Sequence, residues 1–126
     1  MKELNKKDYV NQAEKVVLNL SKSKSGVIFL TTNKIRNMLT IMNELYNAVK
    51  NQKEDKISEE IQSRVQYAKM KLVYEAGRDK TVRELLDKSS LLEYINGIGE
   101  NKKNLILVCH YMEALVAYHK YHTKEK

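Results

Sequence analysis

The chain has 126 residues, a length that accommodates one domain with a modest core rather than two domains. It contains no proline, four glycines and one cysteine, which disfavours turn-rich all-β folds and excludes an internal disulfide. A formal net charge of +7 favours an anionic partner, most often a nucleic acid, although a lysine-rich surface also serves solubility.

The periodicity of the apolar residues predicts an all-α fold, a compact five-helix bundle. We expect one domain over residues 1–126, with an ordered core at about residues 8–122. The first helix runs from about Asp8 to Leu20. The apolar run at 27–30 is expected to be an extended segment packed on the core, because no second strand is evident to pair with it.

The second predicted helix covers about residues 31–50, with a threonine as its cap and an apolar face of about 120°. Ser58 is expected to cap the third helix, and Gly77 is expected to follow its C-terminus. Met70 and Val73 give this third helix a second apolar side, which predicts a central position in the bundle.

The last third of the chain predicts two more helices. Thr81–Glu84 matches a capping box and opens the fourth helix, which breaks near Ser89–Ser90 and resumes through Ile95. The fifth helix runs from about Lys102 to His122. Its middle is so poor in charge that we expect it to form the buried spine of the bundle.

No apolar run approaches the ~20 residues that span a bilayer. The N-terminal residues also lack the apolar stretch of a signal peptide. We therefore expect a cytoplasmic protein without a membrane partner.

Familiar catalytic and cofactor motifs are absent from the sequence. It has no phosphate-binding loop, no G-x-G-x-x-G and no C-x-x-C. His119 and His122 are three residues apart and suit a metal in principle, but no further ligand joins them. Cys109 lies on an apolar seam, which favours a buried thiol over a nucleophile. We predict no catalytic residue, metal, cofactor or small-molecule substrate, and this disfavours a small helical enzyme.

The third helix carries a basic stripe formed by Arg64, Lys71 and Arg78. Residues seven apart on a helix differ by only about 20° in direction, so the three lie within about 40° of one another. Tyr67 and Tyr74 run beside them, also seven apart. Cations flanked by aromatic rings suit contact with phosphates and stacking on bases, and we predict RNA binding here.

The same stripe also has a purely structural interpretation. The pairs Glu60–Arg64 and Lys71–Glu75 are four residues apart and could be ordinary ion pairs on a helix surface. Spacing alone does not decide between the two interpretations.

Lys34 and Arg36 lie in the first turn of the second helix, where the helix dipole disfavours cations. A phosphate bound at that end would satisfy both side chains and the free N–H groups, so both residues are predicted to contact RNA. Exposure of both side chains to solvent is the alternative. Tyr111, Tyr118 and Tyr121 are expected to be exposed and to contact other proteins.

Three blocks of the sequence resemble one protein family. They are Leu30–Asn37 (LTTNKIRN), Val73–Arg78 (VYEAGR) and Tyr111–Tyr121 (YMEALVAYHKY). Their order and spacing, in a chain of this length, are similar to those of the small subunit of type III-A CRISPR effector (Csm) complexes. The resemblance covers about residues 8–122.

This resemblance implies a non-catalytic all-α subunit in antiviral defence. It implies that several copies stack beside the backbone subunits that hold the guide RNA, and that they line the channel where target RNA pairs with the guide. Cleavage and signalling chemistry would then belong to the backbone and large subunits. Lys34, Arg36 and Arg78 fall within the blocks as candidate RNA contacts. A stand-alone helical nucleic-acid-binding regulator is the alternative, although no helix-turn-helix is evident.

Overall fold

Six helices form from residues 4–123, the part of the chain that the computed structural model describes. They are α1 (Tyr9–Leu18), α2 (Thr32–Val49), α3 (Glu59–Arg78), α4 (Lys80–Ser89), α5 (Leu91–Asn96) and α6 (Lys102–His122). Within residues 4–123 there is no strand beyond two isolated bridges, so the all-α class is confirmed. The predicted single domain over residues 1–126 stays a prediction, and residues 1–3 and 124–126 lie outside the described residues.

The prediction of five helices was wrong by one. Ser90 adopts the left-handed conformation, with φ of 58°, and this interrupts the helical hydrogen bonding between α4 and α5. The sequence had indicated a break at this place, and the break separates two helices rather than kinking one. The predicted bounds of the helix from Lys102 to His122 are confirmed.

Side-chain caps fix the starts of the two helices that matter most for the surface described below. The Thr31 hydroxyl accepts a hydrogen bond from the Lys34 N–H at the start of α2. The Ser58 hydroxyl likewise accepts from the Ile61 N–H at the start of α3. Both caps agree with the sequence prediction and satisfy N–H groups that a helix leaves unpaired.

The junction between α3 and α4 differs from the prediction. Gly77 lies inside α3, and the helix ends because Asp79 adopts an extended conformation. The Asp79 carboxylate then accepts hydrogen bonds from the N–H groups of Thr81 and Val82, so Asp79 caps α4. Glu84 does not close a capping box but accepts a hydrogen bond from the Ser21 N–H after α1.

α6 is the spine of the bundle, as predicted, with α1 and α2 packed along it. Seven of its residues are buried: Leu105, Val108, Cys109, Tyr111, Met112, Leu115 and His119. The extended segment before α2 packs on the core through Ile28 and Leu30, as expected. His119 Nε2 lies 2.7 Å from the Leu30 carbonyl oxygen, which only accepts, so Nε2 carries the proton.

α3 is not central. It packs against α2 and α4 through one seam, and Met70 and Val73 are 57% and 48% exposed. The second apolar side of α3 therefore faces solvent, and its presence in the sequence did not indicate a buried helix. The prediction that Tyr111 is exposed was wrong, because its side chain is fully buried. Of Tyr111, Tyr118 and Tyr121, only Tyr121 is well exposed.

None of the helices formed by residues 4–123 combines the length and the apolar character needed to cross a bilayer.

Candidate nucleic-acid interface

Two separate hollows lie along the surface where α2 packs against α3, and we call this stretch of surface the α2–α3 groove. At the first hollow, residues from the second half of α2 meet residues from the first half of α3. At the second hollow, residues from the start of α2 meet residues from the end of α3, so the two helices run antiparallel. The first hollow is lined by Ile41, Glu44, Leu45, Arg64, Tyr67, Ala68 and Lys71. The second is lined by Asn33, Lys34, Asn37, Glu75, Arg78, Asp79 and Val82.

This groove brings together four of the five predicted RNA-binding residues. Arg64 and Lys71 line the first hollow, and Lys34 and Arg78 line the second. Fourteen residues of α3 separate Arg64 from Arg78, which corresponds to about 21 Å at 1.5 Å per residue. The predicted stripe on α3 is thus a wall of the groove.

Arg36 is not part of this arrangement. It is exposed on α2, about 100° around the helix from Asn37, and lines neither hollow. The spacing of Lys34 and Arg36 suggested that both would hold one phosphate, but residues two apart on a helix point in directions about 160° apart. Nothing in the structure tests Arg36 as an RNA contact, and it stays a prediction.

Each cation of the groove already has a carboxylate partner. Arg64 pairs with Glu60 at 3.3 Å, as its spacing suggested. Lys71 pairs not with Glu75 but with Glu44 across the groove, at 3.8 Å, and Glu75 pairs with Arg78 at 3.6 Å. Exposed pairs of this kind contribute only about 0–1 kcal/mol, so a phosphate can displace the carboxylate at little cost.

The fourth pair is more firmly placed. The Lys34 ammonium contacts the Asp79 carboxylate, which also caps α4, and so α2 is tied to the start of α4. This contact, together with the hydrogen bond from the Thr81 hydroxyl, holds the pKa of Asp79 well below its usual range. Lys34 therefore has a structural role that its position in the sequence did not reveal.

Two tyrosines accompany the stripe, as predicted. The Lys71 ammonium lies 4.7 Å from the centre of the Tyr67 ring, and the Arg78 guanidinium lies 5.4 Å from that of Tyr74. The rings are 56% and 62% exposed. Each cation covers part of a ring that remains largely open to a ligand, an arrangement suited to combined phosphate and base contact.

The remaining candidate groups are engaged in structure. His119 is buried against Leu30, and His122 Nε2 lies 2.8 Å from a carboxylate oxygen of Glu14. Cys109 is buried, and burial raises the pKa of its thiol to about 12, so it is a poor nucleophile. Within residues 4–123, no three His, Cys, Asp or Glu side chains converge as a metal site.

Two residues of the groove were missed by reasoning from the sequence. Glu44 is exposed on α2, and only the packing of α3 beside it reveals its contact with Lys71. Asp79 carried a usable signal, because an aspartate before a helical run is a favoured cap. The capping-box pattern two residues later concealed it.

The chain matches known proteins over most of its length. The model of a family described as Csm2 Type III-A matches residues 3–125. The chain is 37% identical over 114 residues to the CRISPR system Cms protein Csm2 of Mycobacterium tuberculosis (strain CDC 1551 / Oshkosh), covering 90% of each. It is 36% identical over 119 residues to the Streptococcus thermophilus protein of the same name, covering 94% of each.

Proposed function

The chain belongs to the Csm2 family of type III-A CRISPR systems, and from this premise we propose that it is the non-catalytic small subunit of an RNA-guided effector complex. In this proposal, copies of the subunit stack as a filament beside the backbone subunits and near the large subunit in the cytoplasm. The α2–α3 groove faces the target RNA, or the duplex of target and guide RNA, and contacts its phosphates.

One observation carries this proposal: Lys34, Arg64, Lys71 and Arg78 line the two hollows of the α2–α3 groove, and Arg64 and Arg78 are about 21 Å apart along α3. A row of cations along a groove matches the backbone of a nucleic acid better than it matches a compact anion. Lysine and arginine contacts to phosphates fix position without reading sequence, and base pairing with the guide supplies sequence specificity.

The carboxylates along the groove set how strongly RNA binds. Because Glu44, Glu60 and Glu75 neutralise the cations in the free protein, RNA must exchange one anion for another. Such an exchange releases fewer counterions than binding to free cations does, so the salt dependence should be modest. Phosphate contact of moderate strength suits a subunit that assists an RNA held by guide pairing.

Charge reversal of the α3 stripe tests the proposal. We expect the triple substitution Arg64→Glu, Lys71→Glu, Arg78→Glu to weaken target-RNA binding by the assembled complex at least tenfold, with similar losses for different matched targets. The salt dependence should flatten, since fewer counterions are released. A matched control reverses three exposed lysines in other regions, Lys24, Lys50 and Lys53, with the same change in net charge.

Thermal melting of each triple variant and its recovery with the other subunits must be checked first. If the stripe variant folds, assembles and binds target RNA with the affinity and salt slope of the control, then the groove is not the RNA surface. The search would then begin with Arg36.

A further inference from the structure

We infer that the first hollow of the α2–α3 groove receives a single unpaired nucleobase of RNA, with its amino group directed at Glu44. This inference rests on the proposed function, because it places RNA on the same groove. It goes further by assigning the hollow a ligand chemistry and a preference among bases. The occupant is a base from a single-stranded stretch, since a paired base is not free to enter.

The floor of the hollow suits a flat, largely apolar ring. Ile41, Leu45 and Ala68 form it, and all three are buried members of the core. The hollow has a volume of about 240 Å³. Drug-sized ligands occupy pockets of ~300–1,000 Å³, so this one suits one ring system rather than a whole nucleotide.

The rim supplies groups suited to the rest of a nucleotide. Arg64 and Lys71 stand on one side and can hold the phosphates that flank the base. Tyr67 stands beside Lys71 with its ring 56% exposed, and it offers a stacking surface. Tyr74 resembles Tyr67 in exposure and in its neighbouring cation, but it does not line this hollow.

Glu44 gives the hollow a chemical preference. Its carboxylate lines the rim, 3.8 Å from the Lys71 ammonium, and becomes available when a phosphate takes over that cation. A carboxylate accepts a hydrogen bond from the exocyclic amino group of cytosine, whereas uracil presents an oxygen at the same position. The hollow is therefore expected to prefer cytosine to uracil.

An aromatic side chain of a neighbouring protein is the competing occupant. The rim favours RNA because phosphates can replace Glu60 and Glu44 as the partners of its two cations, Arg64 and Lys71. An apolar side chain would gain little from this charge.

Binding of short RNA strands to the full chain tests the inference, with fluorescence anisotropy at low salt as the readout. The probes are oligocytidine, oligouridine and an abasic strand of the same length, which keeps the phosphates and lacks the bases. We expect oligocytidine to bind at least about fivefold more tightly than the abasic strand, the low end for stacking of one base on one aromatic side chain. Tyr67→Leu should abolish this difference, and the control variant Tyr121→Leu should keep it, because Tyr121 is 78% exposed on α6 and lines neither hollow.

Glu44→Gln should bind every strand more tightly, because a competing carboxylate is removed, and should lose the preference for cytosine over uracil. Both tyrosines are exposed, so their variants should fold. Equal binding of oligocytidine and the abasic strand, or no binding of RNA by the full chain, overturns the inference. So does a Tyr67→Leu variant that keeps the base effect but no longer joins the other subunits. None of these results decides the proposed function, which is tested separately by the charge-reversal variant of α3 in the assembled complex.

Discussion

α3 and α6 are of nearly equal length, 20 and 21 residues, and both carry apolar residues on more than one side. α6 uses them to contact α1 and α2, whereas α3 buries one seam and leaves Tyr67, Met70 and Tyr74 in solvent. α6 therefore places more of its apolar residues in the core, whereas α3 presents part of its apolar surface to solvent. Substitutions on the two helices should therefore separate stability from binding.

The strongest test compares two methionines. Met112 on α6 is fully buried, and Met70 on α3 is 57% exposed. Met112→Ala should lower the free energy of unfolding by about 2–5 kcal/mol, because it leaves a cavity in a packed core. Met70→Ala should change it by less than about 0.5 kcal/mol. Urea denaturation followed by circular dichroism measures both, and similar losses at the two positions would contradict the division.

Two tyrosine hydroxyls extend the comparison. The buried Tyr111 hydroxyl donates to the Ser89 carbonyl oxygen at 2.8 Å, where α4 ends. Tyr111→Phe leaves that carbonyl without its partner and should cost about 1–3 kcal/mol of unfolding free energy. Tyr74→Phe removes an exposed hydroxyl and should be neutral in the same denaturation experiment. A neutral Tyr111→Phe would show that this hydrogen bond does not stabilise the junction of α4 and α5.

Gly77 tests whether a position on α3 can be changed to make the fold more stable. It lies within the helix, and a Cβ built there would meet no other atom within 4 Å. Gly77→Ala should therefore raise the free energy of unfolding by about 0.5–1 kcal/mol. Gly99→Ala is the control. It should lower the free energy of unfolding, because Gly99 has φ of +59°, a conformation that alanine rarely adopts. A rise in thermal stability of the chain alone, combined with weaker assembly, would identify the Gly77 surface as a contact.

Asp79 gives a smaller effect that depends on pH. The Lys34 ammonium lowers the pKa of Asp79 in the folded state, so the pair stabilises the fold above the unfolded pKa of ~3.9 and loses this contribution as pH falls below it. Asp79→Asn keeps an oxygen for the cap and removes the charge. The wild type should exceed the variant by about 0.2–1 kcal/mol at pH 7. Thermal melts should show the gap narrowing below pH 4, and a constant gap would refute the role of the ion pair.

Local chemistry predicted much of this fold from the sequence. Thr31 and Ser58 cap their helices because a hydroxyl beside free N–H groups needs no tertiary context. The angular match of Arg64, Lys71 and Arg78 likewise follows from helix geometry alone, and the groove preserves it. The family that the three sequence blocks suggested is confirmed as well.

What failed depended on contacts between helices. Which apolar side of α3 faces inward is decided by α2 and α4, so Met70 and Val73 were misplaced. The partner of Lys71 depends on how α2 is rotated about its axis. That rotation brings Glu44 to the groove beside Lys71 and leaves Arg36 outside the groove. The count of helices depended on the backbone conformation of Ser90, for which a serine gives no clear signal.

The position of α6 along the chain has a consequence for synthesis on the ribosome. α1 and α2 pack chiefly on α6, and the segment before α2 is held by His119, 89 residues further along. At roughly 5–20 residues per second, both helices emerge several seconds before their partner exists. Their apolar faces must wait uncovered during that time. The bundle is therefore expected to close in one late step as α6 is released, rather than helix by helix during translation.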